Sequence, residues 1–174
     1  MEFKLFQDEI DDLIELMTSN RWEYHGNVIV KEESIREKFD KGFYHDDRET
    51  FWIIDDGTKV GLIIINDMSD SIPIFDMKFD HKYRGQGYGT KTLFWLKDYL
   101  FGEKDKIRIE GYTRVDNLGM RKCFIKAGFV KEGYLRSSWE NEDGSVSDCL
   151  VYSAIKSDWE SGITTPINLN DFPF

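Results

Sequence analysis

YRGQGYGTKTLFWLKDYLF, residues 83–101, sets three glycines at alternate positions, Gly85, Gly87 and Gly89, directly before an apolar run. Glycine reaches positive φ without steric cost and lets another group approach the backbone closely. The residues after it, from about Tyr88 to Phe101, read as a helix. Free backbone N–H groups at a helix N-terminus, reinforced by the helix dipole, form a cradle for an anion. Arg84 adds a fixed fork of positive charge, and Lys82 and Lys91 flank the loop. The spacing G-x-G-x-G is neither the dinucleotide fingerprint G-x-G-x-x-G nor the nucleotide-binding G-x-x-x-x-G-K-[ST]. The glycines alone leave two readings open, a phosphate or pyrophosphate site and a plain strand-to-helix turn.

The elements around this loop alternate in period. Residues 8–19 carry Ile10, Leu13, Ile14 and Met17 at helical spacing behind acidic residues, and residues 31–41 read as a second, more polar helix. WEYHGN, 22–27, is a loop between them. FWIID (51–55) and VGLIII (60–65) are strands about the turn Asp55-Asp56-Gly57, and 72–80 is a third strand. Beyond the glycine loop and its helix come a strand at 106–114 and a helix of about ten residues capped at Asp116-Asn117 and ending near Gly128. Two strands, 133–139 and 147–155, are joined by Asn141-Glu142-Asp143-Gly144. A short first strand is expected at Phe3–Phe6, and a C-terminal tail over 158–174, extended over SGITTPINLNDFPF, 161–174. This order predicts a single α/β (α+β) domain, 1–174, with helices flanking a mixed, mostly antiparallel sheet.

Composition narrows the functions. A chain of 174 residues, 40% hydrophobic and 15% aromatic, is long enough for a real core. The formal charge of −10 argues against a nucleic-acid partner and suits a cationic one such as an amine. No run is apolar enough to span a membrane and the N-terminus is no signal peptide, so a cytoplasmic protein without a membrane partner is expected. Cys123 and Cys149, and the three histidines His25, His45 and His81, lack metal-ligand spacing, so no metal and reduced thiols are expected.

The glycine loop and two further stretches carry a resemblance. Arg84-Gly85-Gln86-Gly87-Tyr88-Gly89 after the strand FDMKF resembles the acyl-CoA pyrophosphate loop, R/Q-x-x-G-x-G/A, of the GNAT (Gcn5-related) N-acetyltransferases. Asn117 to Phe129, NLGMRKCFIKAGF, resembles that family's N-x-x-A-x-x-x-Y-E-K-x-G-F helix. Glu132-Gly133, Asp148 and Tyr152-Ser153 resemble the ending of the ribosomal-protein acetyltransferase (Rim-type) branch. Together they cover about residues 50–156. The resemblance implies an acyl-CoA N-acyltransferase fold in which the middle strands splay apart, and an enzyme that passes the acetyl group of acetyl-CoA to a primary amine, either a protein N-terminus or a small amine.

Residue by residue, the resemblance implies the following roles. Strand 72–80 lends Met77, Lys78 and Phe79 to the pantetheine arm. The loop Arg84, Gly85, Gln86, Gly87, Tyr88, Gly89 and Thr90 takes the pyrophosphate, and Asn117 bonds the arm. Glu110 is the expected base and Asp76 the runner-up, with His25 a further candidate. Phe124 stands where the family carries a tyrosine acid, which leaves Tyr112, Tyr134 or water to protonate the thiolate. Trp22, Tyr24, His25, Tyr112, Arg136 and Trp139 would line the acceptor pocket. Arg114 and Arg136 would bind an acceptor carboxylate or pair with Asp116 or Asp148. The final strands or the tail are candidates for pairing two copies as a homodimer. A non-catalytic acyl-CoA-binding or sensor domain, or a nucleotide-binding protein, are the alternatives.

Overall fold

The computed structural model describes residues 1–168. In chain order the elements are β1 (Glu2–Leu5), α1 (Ile10–Thr18), α2 (Glu32–Asp40), β2 (Arg48–Asp55), β3 (Thr58–Asn66), β4 (Ile74–Phe79), α3 (Tyr88–Lys97), β5 (Arg108–Arg114), α4 (Leu118–Lys126), β6 (Val130–Glu140), β7 (Val146–Ile155) and α5 (Lys156–Ser161). The seven strands form one sheet in the order β1-β2-β3-β4-β5-β7-β6. Every neighbouring pair is antiparallel except β4 with β5.

That parallel pair is the structural hinge of the fold. The two strands are bridged at Ile74 and Glu110, with the Glu110 N–H donating to Pro73 O at 3.2 Å. Beyond this bridge they part. The Asp80 N–H donates to Val60 O at 3.1 Å, so in the antiparallel β3–β4 ladder the even residues Asp76 and Lys78 turn their backbone groups to β3. The odd residues Phe75, Met77 and Phe79 therefore turn theirs toward the gap that β5 has left.

Helices cover both faces, which explains why β3 is a continuous apolar run rather than an alternating one. Ile63 and Ile65 face a core shared with Leu93, Leu96 and Phe124 of α3 and α4. Leu62 and Ile64 face a second core with Leu13, Met17 and Ile35 of α1 and α2.

Most element bounds differ from the sequence reading by two or three residues, and three departures are structural. The α-helix of α3 stops at Lys97 and continues as a wider π turn over Asp98–Glu103. β6 begins at Val130 rather than 133, because Val130 finds a partner in Ser153. Directly after the last strand, Lys156–Ser161 forms α5, a helix that the sequence reading does not include, held by Trp159, whose ring packs on Phe101 and whose Nε1 donates to Asp98 at 2.7 Å. The last part of the expected tail, 169–174, lies outside the described residues. Among the described residues no helix is long and apolar enough to cross a membrane.

Candidate functional site

The gap between β4 and β5 opens into two adjoining cavities. The first, of about 560 Å³, lies under the glycine loop. Gly85 and Gly87 take φ of 78° and 87°, the left-handed region, and Gly87 caps α3 without a side-chain bond. A side chain at either position would strain the backbone. The N–H groups of Tyr88, Gly89 and Thr90, in the first turn of α3, have no intrahelical partner, and all three residues line the cavity.

Among the described residues, four cations without an ion pair line the same cavity, Arg21, Arg84, Lys122 and Lys126, together with Lys78, whose ammonium is paired with Asp76, against one acid, Glu23. In a chain of net charge −10, that is a local reversal of sign fitted to a multiply charged anion. Arg84 does double duty. Its Nε donates to Phe79 O at 2.9 Å and an Nη to Arg21 O at 3.1 Å, so it ties the loop to β4 and to the segment after α1. Its guanidinium lies 5.0 Å from the Trp22 ring centre. Gln86 lines neither cavity; its side chain turns back to Lys82 O at 2.7 Å. Lys82 and Lys91, which flank the loop in sequence, also stay off the cavity wall, and Lys91 lies over the Tyr88 ring.

The second cavity, of about 440 Å³, lies between the sheet, α2 and the segment after α1. Tyr24, His25, Met77, Lys78, Asn117 and Met120 line both cavities and so mark the junction. Asn117 caps α4 by accepting from the Met120 N–H at 3.1 Å, which leaves its amide NH₂ without a partner among the described residues. Lys78 departs from the expected role. Its backbone faces β3, and its buried ammonium crosses to the second cavity and pairs with Asp76. The Asp76 carboxylate also meets His25 Nδ1 at 3.2 Å. Burial opposes ionisation of Asp76, but Lys78 and then His25 outweigh it and hold the carboxyl far below the usual carboxylate range.

Of the other expected site residues, Tyr112 and Trp139 line the second cavity, as does Tyr24. Trp22 is buried, donates Nε1 to Met17 O at 2.8 Å, and contributes to the loop-side cavity only. Arg136 is exposed and lines neither cavity. Arg114 pairs with Asp116 at 2.6 Å, lies over the Tyr24 ring and bonds Asn141, which clamps the segment after α1 to the β6–β7 turn.

Glu110 lies off both walls. Its carboxylate accepts from Arg108 Nε at 2.7 Å and from the Tyr112 hydroxyl at 2.8 Å. Phe124 is buried and stacks on Tyr152 at 4.5 Å between ring centres, with its edge toward the second cavity. Tyr134 is exposed and bonded to Asp148, away from both cavities.

Sequence reading missed Arg21, Lys122, Lys126 and the lining of α2. A signal for two of them existed: Gly119, Lys122, Cys123 and Lys126 form an i, i+3, i+4, i+7 stripe on α4, and all four line the loop-side cavity. Among the described residues no group of three or more histidine, cysteine or acidic side chains is placed to hold a metal ion.

Residues 3–130 match the family model of the acetyltransferase (GNAT) domain. No curated protein matches the chain. Among solved structures, a chimera of the spermidine N-acetyltransferase SpeG from Vibrio cholerae and hSSAT superposes with a TM-score of 0.79 at 16% identity, covering 92% of this chain and 99% of that one. The spermidine/spermine N-acetyltransferase SpeG from Vibrio cholerae, in complex with manganese ions, gives 0.76 at 16%, covering 92% and 95%. A probable acetyltransferase gives 0.76 at 20%, covering 90% and 93%. At these identities the likeness establishes the fold.

Proposed function

The chain belongs to the GNAT acetyltransferase family, and from that premise we propose that it carries the acetyl group of acetyl-CoA to a primary amine by direct attack. The observation that carries this reading is the continuity of the two cavities: a basic, glycine-lipped one and an apolar one, meeting where β4 and β5 part. The run Glu132-Gly133, Asp148 and Tyr152-Ser153 favours the Rim-type branch within the family.

Acetyl-CoA supplies the activated thioester: the amine nitrogen bonds the acyl carbon, the carbon–sulfur bond breaks, and CoA leaves as thiolate. The chain's own groups do the rest. The N–H groups of Tyr88, Gly89 and Thr90, with the cations of the first cavity, hold the pyrophosphate. The gap-facing backbone of Met77 and Phe79 pairs with the pantetheine arm as an added strand would, and an N–H there stabilises charge on the acyl oxygen. The Asn117 NH₂ reaches the same arm. Holding both partners side by side supplies most of the acceleration.

A base must take a proton from the ammonium, since only the neutral amine attacks. His25 is that base. The tautomer that donates Nδ1–H to Asp76 leaves Nε2 to accept the proton, at the junction of the cavities. Asp76, the runner-up from the sequence, is a poor proton acceptor because Lys78 and His25 hold its anion so well; it orients the imidazole. Glu110 stands one hydrogen bond behind Tyr112. Phe124 offers no proton, so the thiolate leaves without an acid from that position.

Release of CoA thiol on mixing acetyl-CoA with a panel of primary amines tests the reading. His25→Gln should lower kcat by about a hundredfold or more, as expected for loss of a general base, and Glu110→Gln by less than about threefold. The reverse order returns the base to Glu110. Tight acetyl-CoA binding with no thiol release on any amine makes the chain an acyl-CoA-binding sensor instead.

A further inference from the structure

The second cavity identifies the kind of amine. Its wall is made of large apolar side chains, Tyr24, Ile35, Phe43, Tyr44, Tyr112 and Trp139 foremost. Among the described residues it contains one carboxylate, Asp76, and that carboxylate is already paired to Lys78 and His25. The remaining charged group on the described wall is Lys38. Two lysines, Lys38 and Lys78, face one aspartate, so the lining is net positive although the chain carries −10.

At the Phe43 side of the cavity two cations meet one ring. The Lys38 ammonium lies 5.0 Å from the Phe43 ring centre and the Arg48 guanidinium 4.4 Å. Arg48 Nε donates to Asn66 at 2.7 Å, and Asn66 also lines the cavity. Neither Lys38 nor Arg48 has an ion pair with a carboxylate among the described residues. Lys38, on the cavity wall without a counterion among the described residues, is fitted to receive an anion, and Arg48, off the wall and bonded to Asn66 and to Asp46 O, adds positive charge behind it.

Resting on the acetyl-transfer reading, we propose that the acceptor is a primary amine on an aromatic or bulky aliphatic body whose only other charge is an anion, such as an apolar amino acid. A polyamine is the wrong shape of charge. Its additional ammonium groups would enter a net-positive pocket with no free carboxylate among the described residues to receive them, and would lose hydration without compensation. Spermidine, the substrate named for the Vibrio cholerae structures, is therefore the informative comparison.

The test measures kcat/KM for CoA release with L-phenylalanine, 2-phenylethylamine, glycine and spermidine, alongside acetyl-CoA binding by calorimetry. Phenylalanine should be fastest, at least tenfold ahead of glycine, which lacks the body, and of spermidine, which lacks the anion. Lys38→Met should cut the ratio of phenylalanine to phenylethylamine at least fivefold, with melting temperature recorded to show that the variant folds. Arg48→Met gives a second reading of the same anion end.

Spermidine as the fastest acceptor overturns the proposal. So does a phenylalanine preference that survives both substitutions in folded protein. CoA release from none of the four also overturns it: if acetyl-CoA still binds, the failure lies in the acceptor class, and if acetyl-CoA does not bind, the acetyl-transfer reading falls with it.

Discussion

Replacing Asp76 by asparagine separates the electrostatic frame of the site from its chemistry. Asp76 is the carboxylate partner of Lys78, whose side chain is only 9% exposed, and the Asp76 side chain itself is 37% exposed. Breaking a fully buried ion pair by removing one partner costs about 3–5 kcal/mol, because the other charge is left in a poor solvent. Here water reaches the carboxylate end, and His25 Nδ1, 3.3 Å from the Lys78 ammonium, can accept from it in the other tautomer. Both discount the loss to about 2–3 kcal/mol. For a chain of this size that is a fall in melting temperature of about 4–12 °C. Lys78→Met removes the stranded charge, so the double variant should recover part of the loss, with a coupling of about 1–2 kcal/mol in the cycle. The assay is urea unfolding of the wild type and three variants, with kcat measured in parallel. Stability of Asp76→Asn within about 0.5 kcal/mol of wild type, or strictly additive single substitutions, would refute the pairing that places His25.

Other expectations follow from the same geometry. A Cβ on Gly111 would stand 2.6 Å from Cε1 of Phe124 and 3.2 Å from Phe75, so Gly111→Ala should cost about 1–3 kcal/mol by overpacking, read by thermal melting. Arg84→Ala removes the bonds to Phe79 O and Arg21 O and one cation from the loop, so KM for acetyl-CoA should rise about tenfold or more with a smaller change in kcat, the value of a charge-assisted contact pair. Burial pushes the Tyr44 and Tyr99 hydroxyls up to about 12, with Asp76 adding to the first and the bond to Glu49 to the second. A phenol whose proton is held more tightly in the folded state stabilises it below the unfolded value near 10 and loses that contribution as pH rises toward 12. Unfolding free energy should therefore fall across that window, and absorbance at about 295 nm should show Tyr44 and Tyr99 among the tyrosines that ionise late; a flat stability profile there would contradict the placement.

Much of this was legible in the sequence, for local reasons. The alternate glycines, the apolar helix behind them, the hairpin turns and the Asn117 cap each depend on a few neighbouring residues, and each stands where the pattern put it. What failed depends on contacts between elements. Arg136 and Trp139 are both expected at the pocket, yet three residues apart on a strand they face opposite ways, and the irregular stretch between Leu135 and Trp139, with Ser137 at φ 50°, lies between them; Trp139 reaches the cavity and Arg136 does not. Lys78 shares a strand with Met77 and Phe79, but the bond from Asp80 to Val60 fixes a parity that turns its backbone groups away from the gap, leaving only its side chain at the cavities. Glu110 is quenched by Arg108 two residues before it and Tyr112 two residues after, same-face neighbours on a strand, which alternation could have flagged. The His25–Asp76 contact joins a loop residue to a strand far along the chain, and no local pattern encodes it.

The central claim is that the groove between the glycine loop and the parted strands holds acetyl-CoA, and its most direct test is thermal stability with ligand. A ligand that binds only the folded chain must raise its melting temperature. Acetyl-CoA and CoA should each raise that of the wild type, ATP much less. Gly87→Ala should keep a reduced shift, since nothing lies within 4 Å of its added Cβ and only the φ of 87° opposes it, whereas Gly87→Glu should abolish the shift by setting a carboxylate in the anion cradle. No shift with either CoA species at saturating concentration, or an equal shift with ATP, would contradict the account.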